Sequence, residues 1–319
     1  MYIEPTRYCN LKCFYCMHST RGDADGAFAK TGFSIKHIDM RLFSKIVRDI
    51  MSFPKLPKRI CFSGLGEPLM NPNLSKMAKE LRNSGFDGRV DIITNGVALS
   101  PSVSDELIDS GINRIQISVQ ALTPERYEDI AGFAVDMDKY VENIRYLYEY
   151  RKNTEIYIKI IDANLNNNDE RNKFYNMFSH ICDTIYIEHL VVMEKQMGDH
   201  GGITDRLLNL NNEPFESREV CGIMFYFLQV GVDGDTFPCS TPGLPASFSM
   251  GNVKDNSLAE IWDGTKRHSL LCSNLINGYR HFSACDECSS VICITDPAEY
   301  LDDCRGELYE RIKRNHDEL

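Results

Sequence analysis

The chain has a single tryptophan among 319 residues, no lysine- or arginine-rich run, and a formal charge of −11. That balance argues against nucleic acid or an anionic membrane surface as the main partner. No apolar stretch approaches the ~20 residues needed to cross a bilayer, so no membrane span is expected. The first residues, Met1-Tyr2-Ile3-Glu4-Pro5, lack the basic-then-apolar order of a secretory signal, and no signal peptide is expected. Cysteine is what the chain has in excess, with twelve. Without a secretion signal, so many thiols point to a reducing cytoplasm and to metal ligation in place of disulfides.

Through the first two thirds of the chain, short β-rich runs alternate with amphipathic helical patterns. Tyr2–Glu4, Arg59–Ser63, Val90–Thr94, Arg114–Ser118, Glu155–Ile160 and Thr184–Glu188 read as strands. Between them apolar residues recur at helical spacing. Leu42, Phe43, Ile46, Val47 and Ile50 follow a capping Asp39, and Leu74, Met77 and Leu81 precede a Gly85 stop. A short third helix ends near Gly111. Tyr140, Ile144, Leu147 and Tyr148 mark the fourth, and Phe174, Met177, Phe178 and Ile181 the fifth. Such alternation implies parallel strands joined by right-handed crossovers. The expected class is α/β, with an open, partial (β/α)6 TIM barrel whose chemistry sits at the carboxyl ends of the strands. Irregular stretches at 17–38 and 194–220 interrupt the scheme, and loops of that length often cover a site.

Cys9, Cys13 and Cys16 follow the first strand at Cys-x3-Cys-x2-Cys spacing. Three thiolates on one tight loop can hold three irons of a cubane cluster and leave the fourth iron open. An open position separates a reactive metal site from a structural one. Zinc is the competing reading, with His18 as a nearby fourth ligand. What lies downstream favours iron–sulfur. Ser63-Gly64-Leu65-Gly66-Glu67-Pro68, Thr94-Asn95-Gly96 and Ile117-Ser118-Val119-Gln120 each stand at a strand end, in order.

This set resembles the radical S-adenosylmethionine (SAM) family, with Leu65 departing from the usual Gly-Gly-Glu-Pro spelling. The resemblance implies a 4Fe–4S cluster on Cys9, Cys13 and Cys16 whose open iron binds SAM. It implies SAM contacts from the backbone at Gly64, Gly66 and Glu67, from Asn95, Ser118 and Gln120, and from Tyr15 beside the adenine. Reductive cleavage of SAM would give a 5′-deoxyadenosyl radical that abstracts a hydrogen atom. An external one-electron reductant of the flavodoxin or ferredoxin type would drive it.

The C-terminal part begins a second module, with a boundary expected between 1–205 and 206–319. Phe225–Val230 reads as a strand, Asp233-Gly234 as a hairpin turn, and Thr236–Cys239 as the return. A helix is expected at Ser257–Trp262. Cys221, Gly234, Cys239 and the pair Cys285/Cys288 resemble the SPASM/twitch extension of radical SAM enzymes. The full SPASM spacing is not met, because Cys293 stands one residue early and Pro297 lies near where the next cysteine is wanted. The shorter twitch form implies one auxiliary 4Fe–4S cluster on Cys221, Cys239, Cys285 and Cys288. Such a cluster would staple a module with little core of its own. Cys61, Cys182 and Cys272 read as core thiols. Cys304 reads as an apolar position on the stripe Leu301, Cys304, Leu308, Ile312 of a helix beginning at Pro297; otherwise it or Cys293 is a cluster ligand in place of one of these four, or a thiol hydrogen donor.

The twitch spacing resembles dehydrogenases of aminocyclitol pathways, which oxidise a secondary alcohol. A base near the strand ends would be needed. Lys159, His189 and Asp205 are the principal candidates, with Asp162, Glu188, Asp199 and His200 beside them. The expected substrate is a small hydroxylated or amino-sugar-like molecule. The alternative is maturation of a ribosomal peptide. It is weakened because Cys9 comes too early for a preceding leader-recognition domain.

Overall fold

The structure is a computed structural model that describes residues 1–191, 208–216, 218–241, 243–286, 288, 290–294 and 296–317. The six expected strands form as β1 (Tyr2–Ile3), β2 (Arg59–Phe62), β3 (Arg89–Thr94), β4 (Arg114–Val119), β5 (Glu155–Ile161) and β6 (Thr184–Glu188). All adjacent pairs among them are parallel, in the order β6-β5-β4-β3-β2-β1. The crossovers carry α1 (Ala27–Lys30), α2 (Met40–Met51), α3 (Leu74–Asn83), α4 (Pro101–Ile108), α5 (Pro124–Ala131), α6 (Met137–Tyr150) and α7 (Asn168–Phe178). This is the partial barrel expected from the alternation.

The two faces of the sheet differ. One carries Ile60, Phe62, Val90, Ile92, Ile115, Ile117, Ile156, Ile158 and Ile160, all buried with the apolar sides of the helices in one cluster. Removing such side chains from water stabilises by ~1.5–3 kcal/mol each. The other face is polar. Register aligns Ser118 with Lys159 and Lys159 with Tyr186, and lower down Asp91 with Arg114 and Arg114 with Glu155. In β5 every second residue is fully buried, and those between are only partly so. The partly covered residues line the open side of the sheet.

Local signals set the helix ends. Asp39 accepts hydrogen bonds from the amides of Arg41 and Leu42, and Gly85 takes φ +92° after α3. The sequence pattern missed α5, although Thr123 caps it and Pro124 occupies its first turn. Three buried tyrosine and phenylalanine rings, of Tyr127, Tyr140 and Phe178, join α5, α6 and α7.

Beyond β6, a hairpin continues the same sheet. β7 (Gln229–Val230) pairs in parallel with β1, then antiparallel β8 (Asp235–Phe237) and β9 (Gly251–Asn252) follow. The strand expected over 225–230 is shorter. A helical turn, α8 (Ile223–Tyr226), replaces its first part. A short apolar run suits either period, and here Ile223 and Met224 turn inward while Tyr226 stays exposed. Further on come α9 (Leu258–Trp262), capped by Ser257 with Glu260, and α10 (Thr265–Asn277).

The last helix, α11 (Arg305–Asp317), starts eight residues later than Pro297. Asp296 and Pro297 open only a short 3-10 turn, Pro297–Glu299. Cys304 therefore precedes the helix and accepts from the Leu308 amide at 3.0 Å through its carbonyl. Cys61 and Cys182 are buried as expected, but Cys272 is not. Its sulfur sits 3.7 Å from His268 Nε2 on the partly covered side of α10. The boundary expected at 205/206 falls outside the described residues. Among those described, no helix is long and apolar enough to cross a membrane.

Ile117 lies fully buried in β4 under the helices. Ile117→Ala is expected to cost ~2–5 kcal/mol and to lower the thermal unfolding midpoint by circular dichroism. An unchanged midpoint would contradict this packing.

Candidate functional site

The Cys9–Cys16 loop is held by its backbone. Lys12 N donates to Ala131 O at 2.7 Å and Phe14 N to Ile130 O at 3.0 Å, which pins the loop to the end of α5. Cys16 N closes a turn onto Cys13 O at 2.9 Å. Buried Leu11 anchors it from below. Burial, with the nearby Glu67 and Cys16, pushes the Cys9 thiol up to about 12, against the Leu11 amide, which holds it down. Burial and then the Cys16 and Cys9 thiols push Cys13 up further. The three sulfurs thus lie within electrostatic reach of one another. Thiols held protonated by burial and by each other ionise when a cation arrives, and metal binding releases their protons. Three thiols on one short loop are the donor set that an iron–sulfur cluster takes.

The glycine-rich turn after β2 packs directly on this loop. A Cβ at Gly66 would stand 2.2 Å from Thr6 O, and one at Gly64 2.7 Å from Glu4 Cγ, so only glycine allows the approach. Leu65, the departure from the usual spelling, is buried with Met17 and Phe28, which come from the 17–38 stretch. Glu67 is buried. Its Oε1 accepts from Thr94 Oγ1 at 2.6 Å and Leu69 N at 3.0 Å, and its Oε2 from Asn95 N at 2.7 Å. Burial raises its pKa, and these three donors counter the rise. Asn95 in turn donates to Asn10 Oδ1 at 2.8 Å. Tyr15 donates its hydroxyl to Gln120 Oε1, and Gln120 donates to Ser118 O at 2.8 Å. The structure therefore gathers the loop of Tyr15 and the three cysteines, Gly64–Glu67, Asn95, Ser118 and Gln120 at one end of the sheet.

Lys159 pairs with Glu188 across β5 and β6. His189 Nδ1 lies 2.7 Å from Asp162 Oδ2, and the Leu190 amide donates to the other oxygen at 3.0 Å. His189 is 6% exposed. The ends of β5 and β6 thus carry two pairs, one an ion pair and one an imidazole fixed by a carboxylate. Asp199, His200 and Asp205 lie outside the described residues.

The second thiol group forms around the hairpin. Cys221 is locked to α10 by buried Asn274, which accepts from the Cys221 amide at 3.1 Å and donates to its carbonyl at 3.0 Å. Burial, then Cys239, Cys288 and Cys285, raises the Cys221 pKa well above the usual thiol value. Burial lifts Cys239 to about 11, although hydrogen bonds to Thr241 hold it down. Cys285 and Cys288 stand on one turn, with Cys288 N donating to Cys285 O at 3.2 Å. Thiols are the donors an iron–sulfur cluster takes, and these four act on one another electrostatically.

Burial raises the thiol of Cys293, left open by its spacing, to about 12, followed by Glu188, Cys239 and Cys288, with Lys159 opposing. The short separation of Cys293 from Cys288 was the available signal, but spacing alone did not show which way it faced.

Residues 3–176 match the radical SAM superfamily and residues 221–290 the iron–sulfur cluster-binding domain SPASM. The chain belongs to the radical SAM superfamily, a class of SAM-dependent iron–sulfur enzymes. It is similar to the tungsten-containing aldehyde ferredoxin oxidoreductase cofactor-modifying protein of Pyrococcus furiosus, 24% identical over 91% of this chain and 86% of that one. Its fold resembles BtrN in complex with AdoMet and 2-DOIA, at TM-score 0.55 and 19% identity, over 90% of this chain and 91% of that one. It also resembles native anSMEcpe with bound AdoMet and Cp18Cys peptide, at TM-score 0.58 and 15% identity, over 99% and 98%.

Replacing Cys9, Cys13 and Cys16 together by alanine is expected to abolish SAM cleavage while an auxiliary iron–sulfur absorbance remains. Replacing Cys285 and Cys288 is expected to remove about four irons per chain, the content of one cubane. Iron and sulfide analysis after anaerobic reconstitution reads both, and an unchanged iron content in the second variant would contradict the ligand assignment.

Proposed function

We infer that the chain oxidises a small hydroxylated or amino-sugar-like molecule by hydrogen-atom abstraction. The observation that carries this reading is the buried His189 imidazole, fixed by Asp162 at the carboxyl end of the sheet. Cys9, Cys13 and Cys16 would hold the SAM cluster. Gly64, Gly66, Glu67, Asn95, Ser118, Gln120 and Tyr15 would hold SAM, and Cys221, Cys239, Cys285 and Cys288 the auxiliary cluster. Bound there, these groups supply a 5′-deoxyadenosyl radical that takes a hydrogen atom from carbon, and an acceptor for one electron.

The protein's own part is the proton. His189 accepts the hydroxyl proton of the substrate, and Asp162 fixes the ring and stabilises the imidazolium that forms. Lys159 and Glu188, with Ser118 and Tyr186 beside them in register, offer donors and acceptors to a polyhydroxylated ligand. The polar lining of the open face favours a small polar substrate over an apolar one. The Pyrococcus relative is itself named for modifying a cofactor, which agrees with a small-molecule substrate. Peptide maturation is the second reading, supported by the fold shared with the peptide-bound anSMEcpe. A reducing cytoplasm and a flavodoxin- or ferredoxin-type donor complete the proposal, with residues 1–205 as the barrel and 206–319 as the auxiliary domain.

The test incubates reduced, reconstituted enzyme with SAM and panels of aminocyclitols, amino sugars and short peptides. A small hydroxylated compound is expected to stimulate 5′-deoxyadenosine release and to lose two hydrogens by mass spectrometry. Stimulation by peptides alone would refute the small-molecule reading. His189→Ala is expected to keep SAM cleavage but to slow product formation by roughly 10²–10⁴-fold, the usual contribution of a general base. Equal product rates in the two proteins would remove His189 from this role.

A further inference from the structure

One charge cluster, buried at its centre, lies outside both thiol sites and joins the glycine-rich turn to the auxiliary hairpin. Glu4, just past β1, and Arg7, two residues before Cys9, are 3% and 2% exposed. The Glu4 carboxylate accepts from three separate segments. Its Oε1 takes the Leu65 amide at 2.9 Å, inside the glycine-rich turn. Its Oε2 takes Arg7 Nε at 3.1 Å and the Val232 amide at 3.3 Å, the latter at the tip of the auxiliary hairpin. Arg7 continues to Asp233 Oδ2 at 2.6 Å on that same tip, and Asp233 also pairs with Lys36. The guanidinium lies 4.0 Å over the Phe33 ring. Glycine keeps the first approach open, since a Cβ at Gly64 would strike Glu4.

Two anions and two cations thus balance, with Glu4 and Arg7 buried and Asp233 and Lys36 partly open to solvent. Removing Glu4 or Arg7 leaves an uncompensated buried charge, so that pair holds one geometry or breaks. Cys239 stands two residues past the end of β8, the strand that follows the tip. We propose that Glu4 and Arg7 are positioning residues that couple the SAM-binding turn at Gly64–Glu67 to the hairpin bearing Cys239, so that nucleotide binding at one restrains the other. This rests on the assignment of SAM to that turn.

Leu65 N–H and Val232 N–H both end on the Glu4 carboxylate, so their exchange with solvent deuterium reports the coupling directly. Hydrogen exchange of the two-cluster holoenzyme, with and without SAM, is the measurement. In the parent, SAM is expected to slow peptides covering 63–67 and 229–237 together, by about fivefold or more, the lower end of usual coupling between sites. In Glu4→Gln the slowing at 63–67 remains and that at 229–237 is lost. Asp233→Asn, a milder change at a partly exposed side chain, reduces the hairpin response if Glu4→Gln fails to fold. No SAM effect at 63–67 in the parent overturns the SAM assignment and the coupling with it. Slowing at 63–67 without the hairpin overturns the coupling alone. A hairpin response that survives in both variants overturns the role given to Glu4 and Arg7. A merely structural role would speed exchange throughout and leave the SAM response of the hairpin intact, which also overturns it.

Discussion

The rest of the protein depends on a parallel sheet that can be covered on only one face. Crossover helices pack on the isoleucine-rich side and leave the other side to line an open interior. Side chains alternate along each strand, so every residue between two buried isoleucines is delivered to that interior. Lys159, between Ile158 and Ile160, is the example. The same geometry sets all six carboxyl ends side by side. A cysteine loop, a glycine turn and several polar side chains, far apart in the chain, then meet there.

What happens at that end is governed by desolvation. Carboxylates, thiols and an imidazole are taken out of water, and each must find compensation nearby. Glu67 finds three donors and so binds the β2 turn to the end of β3. Glu4 finds three others and binds β1 to two loops. The thiols find less, the Leu11 amide at Cys9 and Thr241 at Cys239 among them, and a bound cluster would supply the positive charge that thiolates need.

The C-terminal part is less independent than its own thiol group suggests. Its small apolar cluster gathers Cys221 and Cys239 with Phe237, Phe248, Leu271 and Tyr279. Its hairpin, however, extends the barrel sheet through β1 and β7, and Cys293 reaches electrostatically toward Glu188. A shared sheet edge is a stiff junction, because its hydrogen bonds fix both register and direction.

Much of this was legible in the residues. Strands β2 to β6 announce themselves by β-branched runs, α2 by its cap and apolar stripe, and the cluster loop by three cysteines, because those signals are local. Tertiary context decided the rest. Phe225 and Tyr226 fit a strand or a helix equally by pattern, and only packing of Ile223 and Met224 inward chose the helix. Cys304 was assigned to a helix that begins just after it, since Asp296-Pro297 starts a 3-10 turn as readily as a helix. The Glu4–Arg7–Asp233 chain joins residues more than two hundred positions apart, and no spacing rule could foretell it. The sequence by itself determined which residues could form elements and carry thiolate chemistry. The tertiary structure alone decided which charges share a buried volume, because burial and electrostatic pairing depend on distance in space and not along the chain.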